Sequence, residues 1–178
     1  MPAAAARASR FERGPMTAFA LFGLEPALDI DDALLAERFQ RLRAQFHPDR
    51  FALGSALERR LAVQRAADIN DAHATLADPM ARARLLLELR GVSMDEAATV
   101  QDPAFLMRQM DLREALDEAA DAPARERLRT EVQGLWAADW AALGQALQAD
   151  EAEQARRQLQ RLQFLRRFLD QLPRPAPG

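Results

Sequence analysis

The chain of 178 residues contains no cysteine, no lysine and only two histidines. Without thiolates it can form neither a disulfide nor a thiolate-held zinc or iron–sulfur centre. His47 and His73 alone would leave carboxylates to do most of the work at any metal site, so no metal and no cofactor is expected. No stretch reaches the roughly 18 consecutive apolar residues of a membrane span. All 24 basic residues are arginine, and 27 acids outweigh them to a net charge of −3. A general nucleic-acid binder would carry a basic excess, so neither nucleic acid nor membrane is an expected partner. What remains is rich in Ala, Leu, Arg, Glu and Gln and poor in β-branched residues, which predicts an all-α fold. With 49% apolar residues the chain can bury a core.

The first fifteen residues, MPAAAARASRFERGP, carry several Ala and Arg and a single acid. Transit peptides share that composition, but a disordered leader or an early start ahead of Met16 fits it as well and is the reading adopted. MTAFALFGL then reads as one or two helical turns ended by Gly23. Asp31 can cap the next helix, in which Leu35, Phe39, Leu42 and Phe46 recur at helical spacing. A third helix follows from about Ala56 to Leu76, with a stripe of Ala62, Ala66, Ile69, His73 and Leu76. Asp78-Pro79 caps and opens a fourth helix that Gly91 terminates. The polar connection 92–101 is the expected domain boundary. Beyond it, Asp102-Pro103, Pro123 and Glu151 mark the starts of three helices with short links, the pattern of an antiparallel bundle over 102–172. A proline-rich tail, 173–178, ends the chain.

The second helix stops at His47-Pro48-Asp49, because proline biases the residue before it away from helical geometry. The triplet by itself is a weak signal. Its setting is stronger: an amphipathic helix carrying Arg38, Arg41 and Arg43 leads in, a second leads out, and AADINDAHATLADPMARA supplies a helix end and a capped restart. Together these segments resemble a J domain, the helical hairpin that stimulates ATP hydrolysis by DnaK-class chaperones, over residues 16–91. The resemblance implies that His47, Pro48 and Asp49, with Arg38, Arg41 and Arg43, meet the chaperone. On charge alone, Asp49 suits a cationic partner group and the arginines an acidic surface. A helical enzyme using His47 and Asp49 is the rival reading; it would need a nucleophile or metal nearby, and Ser55 is the nearest hydroxyl. His73 occupies a stripe position where the J-domain pattern places an aromatic residue, and reads as a packed, hydrogen-bonded histidine.

At about 100° per residue, Phe105, Leu112, Leu116 and Ala119 share one side of their helix. Leu106, Met107 and Met110 fall on the other, beside Asp111, Glu114 and Glu118. On the last helix Phe164 falls away from the Leu159, Leu162 and Leu169 stripe. Such residues fit either a partner surface with a charged edge or further packing. Trp136 and Trp140, one turn apart, read as bundle packing.

General J proteins often continue into a Gly/Phe-rich linker and a cysteine-rich region, and neither occurs here. Instead DPAFLMRQMDLREALDEA and LQRLQFLRRFL, with LFGL near the start and FHPDRFA in the loop, resemble the HscB family over about residues 16–172. The resemblance implies an L-shaped pair of a J domain and a three-helix bundle, of the bacterial type without a zinc module. It further implies a cytoplasmic, non-enzymatic co-chaperone of iron–sulfur cluster assembly. Its partners are then HscA, a DnaK-class ATPase, and the scaffold protein IscU, which would dock on Leu106, Met107, Met110, Asp111, Glu114, Glu118 and Phe164. A J-domain co-chaperone bringing another client to a general DnaK chaperone is the alternative.

Overall fold

A computed structural model describes residues 17–94 and 102–172. The expected leader (1–15), residues 95–101 of the connection and the tail (173–178) lie outside the described residues. Every regular element within them is helical: α1 (Ala18–Leu21), α2 (Asp32–Gln45), a 3-10 turn (Pro48–Phe51), α3 (Ala56–Ala77), α4 (Pro79–Leu89), α5 (Pro103–Glu118), α6 (Ala122–Gln148) and α7 (Ala152–Gln171). The starts follow side-chain chemistry. Thr17, Asp31, Ser55, Asp102 and Asp121 each accept a backbone N–H from the first turn of the helix they precede. Asp78 does the same for α4, accepting from the N–H of Met80 at 2.8 Å. That helix ends as expected at Gly91, whose φ of 78° lets the Val92 N–H reach back to the Leu87 carbonyl.

The chain divides into two compact units between Arg82 and Ala83. The break therefore falls inside α4, ahead of the connection at 92–101 where the sequence predicts it. In the first unit α1 and α2 both pack on α3. Phe19, Phe22, Leu28, Leu35, Ala62, Ile69 and Leu76 are buried there, while Phe39, Leu42 and Phe46 are half-buried. The stripe of α2 thus loses burial toward its C-terminal end, as a two-helix hairpin with no third layer must. Arg82, only 5% exposed, is buried with its hydrogen bonds made: Nε donates to the Leu76 carbonyl at 2.9 Å and Nη1 to the Leu28 carbonyl at 2.7 Å. It also stands 3.8 Å from Asp32.

The second unit is built on α6 and α7, joined by a link of three residues in which Asp150 takes a φ of 62°. Leu128, Val132, Leu165, Phe168 and Leu172 form its core with Leu112 of α5, and Trp136 packs against that core from the side. The Trp136 and Trp140 rings stack near-parallel at 6.3 Å, so the tryptophans are bundle packing as expected. A charge network that the apolar pattern does not announce ties all three helices. Arg161 of α7 donates to Asp139 of α6 at 3.2 Å and to Asp102, the cap of α5, at 3.4 Å. Its guanidinium lies 4.8 Å from the ring centroid of Phe105.

Breaking a fully buried ion pair costs about 3–5 kcal/mol, because the remaining charge is stranded. Arg161 is 28% exposed and Asp139 11%. Arg161→Ala is therefore expected to lower stability by about 1–3 kcal/mol. Arg161→Leu/Asp139→Leu should recover most of that loss, since no charge is left without a partner between α6 and α7. Urea denaturation of the parent and both variants checks this; equal losses would assign the cost to packing and not to charge.

Candidate functional site

The loop after α2 is held by its own bonds. Phe46 closes α2, and His47 turns to extended geometry (φ −62°, ψ 129°) before the 3-10 turn begins. The His47 ring Nδ1 accepts the Asp49 N–H at 3.3 Å, and the His47 carbonyl accepts the Arg50 N–H at 3.0 Å. Arg50 reaches back to the Ala44 carbonyl at 3.4 Å. On the far side, Ser55 and Glu58 form a reciprocal capping box that restarts the helix. The Ser55 backbone N–H and hydroxyl both donate to the Glu58 carboxylate, at 2.7 and 2.8 Å. These bonds, the backbone one foremost, hold the Glu58 pKa below its ordinary value. The result is a short turn, tied to both flanking helices, that leaves the Asp49 side chain 90% exposed and the His47 ring half exposed.

The three arginines predicted for this surface do not act alike. Arg38 is half-buried and donates to the carbonyls of Phe22 and Gly23, which ties α2 to the end of α1. Arg41 is exposed and pairs with Glu37 one turn earlier. Arg43 is exposed and makes no ion pair among the described residues. Two residues apart on a helix, Arg41 and Arg43 point roughly 200° away from each other, so they do not share a face. Sequence reasoning also missed a neighbouring feature: Leu53 is fully exposed, and Leu57 and Leu61 of α3 are 57% and 55% exposed. On α3, Leu57 stands roughly 140° and Leu61 roughly 100° around the helix from the centre of the Ala62–Ile69 stripe. His73 stacks on Phe39 at 3.9 Å and meets Phe22 edge-on at 6.4 Å. Ring packing holds it, in place of the hydrogen bond expected.

The reading of His47 and Asp49 as an enzyme's acid–base pair finds no nucleophile beside them. The Ser55 hydroxyl is committed to Glu58 in the helix cap. Among the described residues no group of three or more His, Asp or Glu is placed to hold a metal ion. No helix among them is long and apolar enough to cross a membrane.

A second surface lies on α5. Phe105 and Leu112 are buried, whereas Leu106, Met107 and Met110 are 41%, 67% and 69% exposed. Asp111, Glu114 and Glu118 are exposed beside them and form no ion pair among the described residues. Phe164 is placed differently from the sequence reading. It is half-buried against the bundle core, edge-on to Phe105 at 5.6 Å and tilted on Phe168 at 6.0 Å. The α7 stripe is wider than leucine spacing suggests, because α5 covers a second side of that helix.

Residues 101–173 match the family model described as the HSCB C-terminal oligomerisation domain. A co-chaperone protein HscB homolog from Shewanella sp. (strain ANA-3) is 41% identical over 167 residues, covering 89% of this chain and 96% of that protein. The solved chaperone HscB from Vibrio cholerae is 40% identical with a TM-score of 0.79, covering 88% of this chain and 95% of its own. The crystal structure of human co-chaperone protein HscB aligns with a TM-score of 0.82 at 26% identity, over 87% of this chain and 79% of that one. An all-helical chain with a His-Pro-Asp turn in one unit and an α5–α7 bundle in the other, matched over nearly its whole length, belongs to the HscB family of co-chaperones.

Proposed function

We propose that the chain brings the scaffold protein IscU to the DnaK-class chaperone HscA and stimulates its ATPase, aiding iron–sulfur cluster assembly and transfer in the cytoplasm. In this reading residues 16–91 act as the J domain and 102–172 as the scaffold-binding bundle. The observation that carries it is the self-held turn that leaves Asp49 90% exposed. A carboxylate already fixed in place by its neighbours loses little freedom when it meets a cationic partner group. His47 and Pro48 set the turn, Arg41 and Arg43 offer charge on two sides of α2, and Arg38 acts from within by fixing α2 on α1. The exposed Leu57 and Leu61 extend the same region with apolar area. IscU docks on Leu106, Met107 and Met110, with Asp111, Glu114 and Glu118 as a charged rim and Phe164 supporting the patch from below. The chain itself breaks no bond.

His47→Gln should abolish stimulation of HscA while IscU binding and the melting temperature persist. The ring takes part in the turn, whereas the residues proposed to dock IscU belong to the other unit. Steady-state ATPase assays with HscA, and in parallel with a general DnaK, check this. Normal stimulation by the variant would sink the J-domain reading, and stimulation of DnaK alone would favour the different-client alternative.

Fully burying a Leu or Met side chain is worth roughly 1.5–3 kcal/mol, of which binding recovers only part. Leu106→Ala/Met107→Ala/Met110→Ala should therefore weaken IscU binding by about 3–5 kcal/mol, at least a hundredfold. Stability should change little, since the three side chains are exposed. Calorimetric titration with a melting curve tests both: unchanged affinity removes the patch as the site, and a collapsed melt returns the residues to the core.

Reversing Asp111, Glu114 and Glu118 to Arg should act on rate more than on residence. Rim charges steer encounter, so association should slow and lose much of its salt dependence while dissociation changes less. Stopped-flow association across a salt series measures this, and salt-independent rates in the parent would exclude a steering role.

A further inference from the structure

The chain offers an oxidant no thiol, so methionine is its most readily oxidised aliphatic side chain. The methionines in the described residues differ sharply in access. Met80 is 8% exposed in the first unit and Met94 is half-buried, whereas Met107 and Met110 are 67% and 69% exposed. Three residues apart on α5, they stand roughly 60° from each other around the helix and are surface neighbours. They supply most of the flexible, polarizable surface of the apolar patch.

We propose that Met107 and Met110 are a reversible oxidation site through which a peroxide lowers the affinity of the bundle for its client. The proposal rests on the reading of the patch as the client surface. The thioether sulfur attacks one oxygen of hydrogen peroxide, a sulfur–oxygen bond forms and the oxygen–oxygen bond breaks. The transferred hydroxyl gives its proton to the departing hydroxide, which leaves as water. Sulfur is oxidised by two electrons and the peroxide is reduced by two.

The surroundings make the product costly to bury. A sulfoxide oxygen is a hydrogen-bond acceptor and needs a donor once water is excluded. The acids beside it, Asp111, Glu114 and Glu118, are acceptors when ionised and cannot donate. Of the two arginines on α5, Arg108 stands 3.8 Å from Glu131 and Arg113 lies 6.0 Å from the Phe164 ring centroid. The new oxygen therefore enters an interface beside acids that cannot donate to it, and the acidic rim gains a further negative dipole.

The test uses the full chain, treated alone with hydrogen peroxide, freed of oxidant, and then titrated with IscU, so that the scaffold itself is never oxidised. Peptide mass spectrometry should show Met107 and Met110 gaining one oxygen each at least about tenfold faster than Met80. The oxidised protein should bind IscU at least about tenfold more weakly, and methionine sulfoxide reductases should restore the affinity. Met107→Leu/Met110→Leu removes both sulfurs, so whatever affinity the variant has should be the same before and after peroxide. Equal oxidation rates at Met80 and Met107, or equal affinity before and after oxidation, would overturn the proposal. So would a leucine variant as peroxide-sensitive as the parent. The alanine triple separates the two layers. If it loses binding while the oxidised parent does not, the oxidation site fails and the docking surface stands. If it binds as the parent does, the docking surface fails and the proposal falls with it.

Discussion

The first unit depends on one buried cation. Arg82 sits at the start of α4 with its side chain 6% exposed, where an unpartnered charge would be prohibitive. It is tolerable because two carbonyls that the fold would otherwise strand turn toward it. The Leu76 carbonyl lies in the last turn of α3, where helical partners run out, and the Leu28 carbonyl lies in the loop that feeds α2. One side chain thus satisfies a helix end and a loop while holding α2, α3 and α4 in register. The hairpin that presents the His47–Asp49 turn is aligned at its opposite end by this arginine. Lysine could not replace it, since a single ammonium lacks the planar fork that reaches both carbonyls.

The second unit solves a different problem with the same residue type. The α6–α7 pair is continuous and apolar, but α5 must join it while leaving one face free. Phe105, Leu112 and the half-buried Leu116 give α5 a narrow buried seam. The cap of the helix, Asp102, is then fixed through Arg161 to Asp139. Anchoring the N-terminal end by charge allows the opposite face to stay apolar and uncovered. A wider apolar seam would have rotated Leu106 or Met110 inward and consumed the surface.

Much of this was legible in the sequence, and for identifiable reasons. Helix starts were readable because Asp31, Asp78 and Asp102 stand directly before the helices they cap, and proline at Pro79, Pro103 and Pro123 suits only a first turn. The opposition of Leu106, Met107 and Met110 to Phe105 and Leu112 follows from helical angle alone. What was not legible depends on partners distant in sequence. Arg38 looked like a surface charge because nothing near it predicts that it meets the carbonyls of Phe22 and Gly23. Phe164 looked spare because a helix touched on two sides has two stripes, and the second is set by α5. Asp139 gave no sign of burial, since its partner Arg161 lies 22 positions away along the chain and a single acid in a long helix is ordinarily solvated.

Exposed apolar residues scattered singly over a surface mean little, because water-facing leucines are common. Here the large ones among the described residues are not scattered. Leu53, Leu57 and Leu61 fall within nine consecutive positions that begin just after the His47–Asp49 turn, and Leu106, Met107 and Met110 fall within five on α5, while Val63 stands apart, roughly 200° around α3 from Leu61. The remaining leucines of both units are buried or half-buried, so the sequence had the means to cover apolar area and did not do so at these two places. Stability alone would favour polar residues at every one of those positions, since they add nothing to the core and promote association in the free chain. Their presence is a cost of the folded state, and the second cluster shares its helix face with charged side chains that can orient a partner, Asp111 and Glu114. The two units are therefore alike in design though not in fold. Each uses an arginine to close its interior, and each leaves apolar area facing outward.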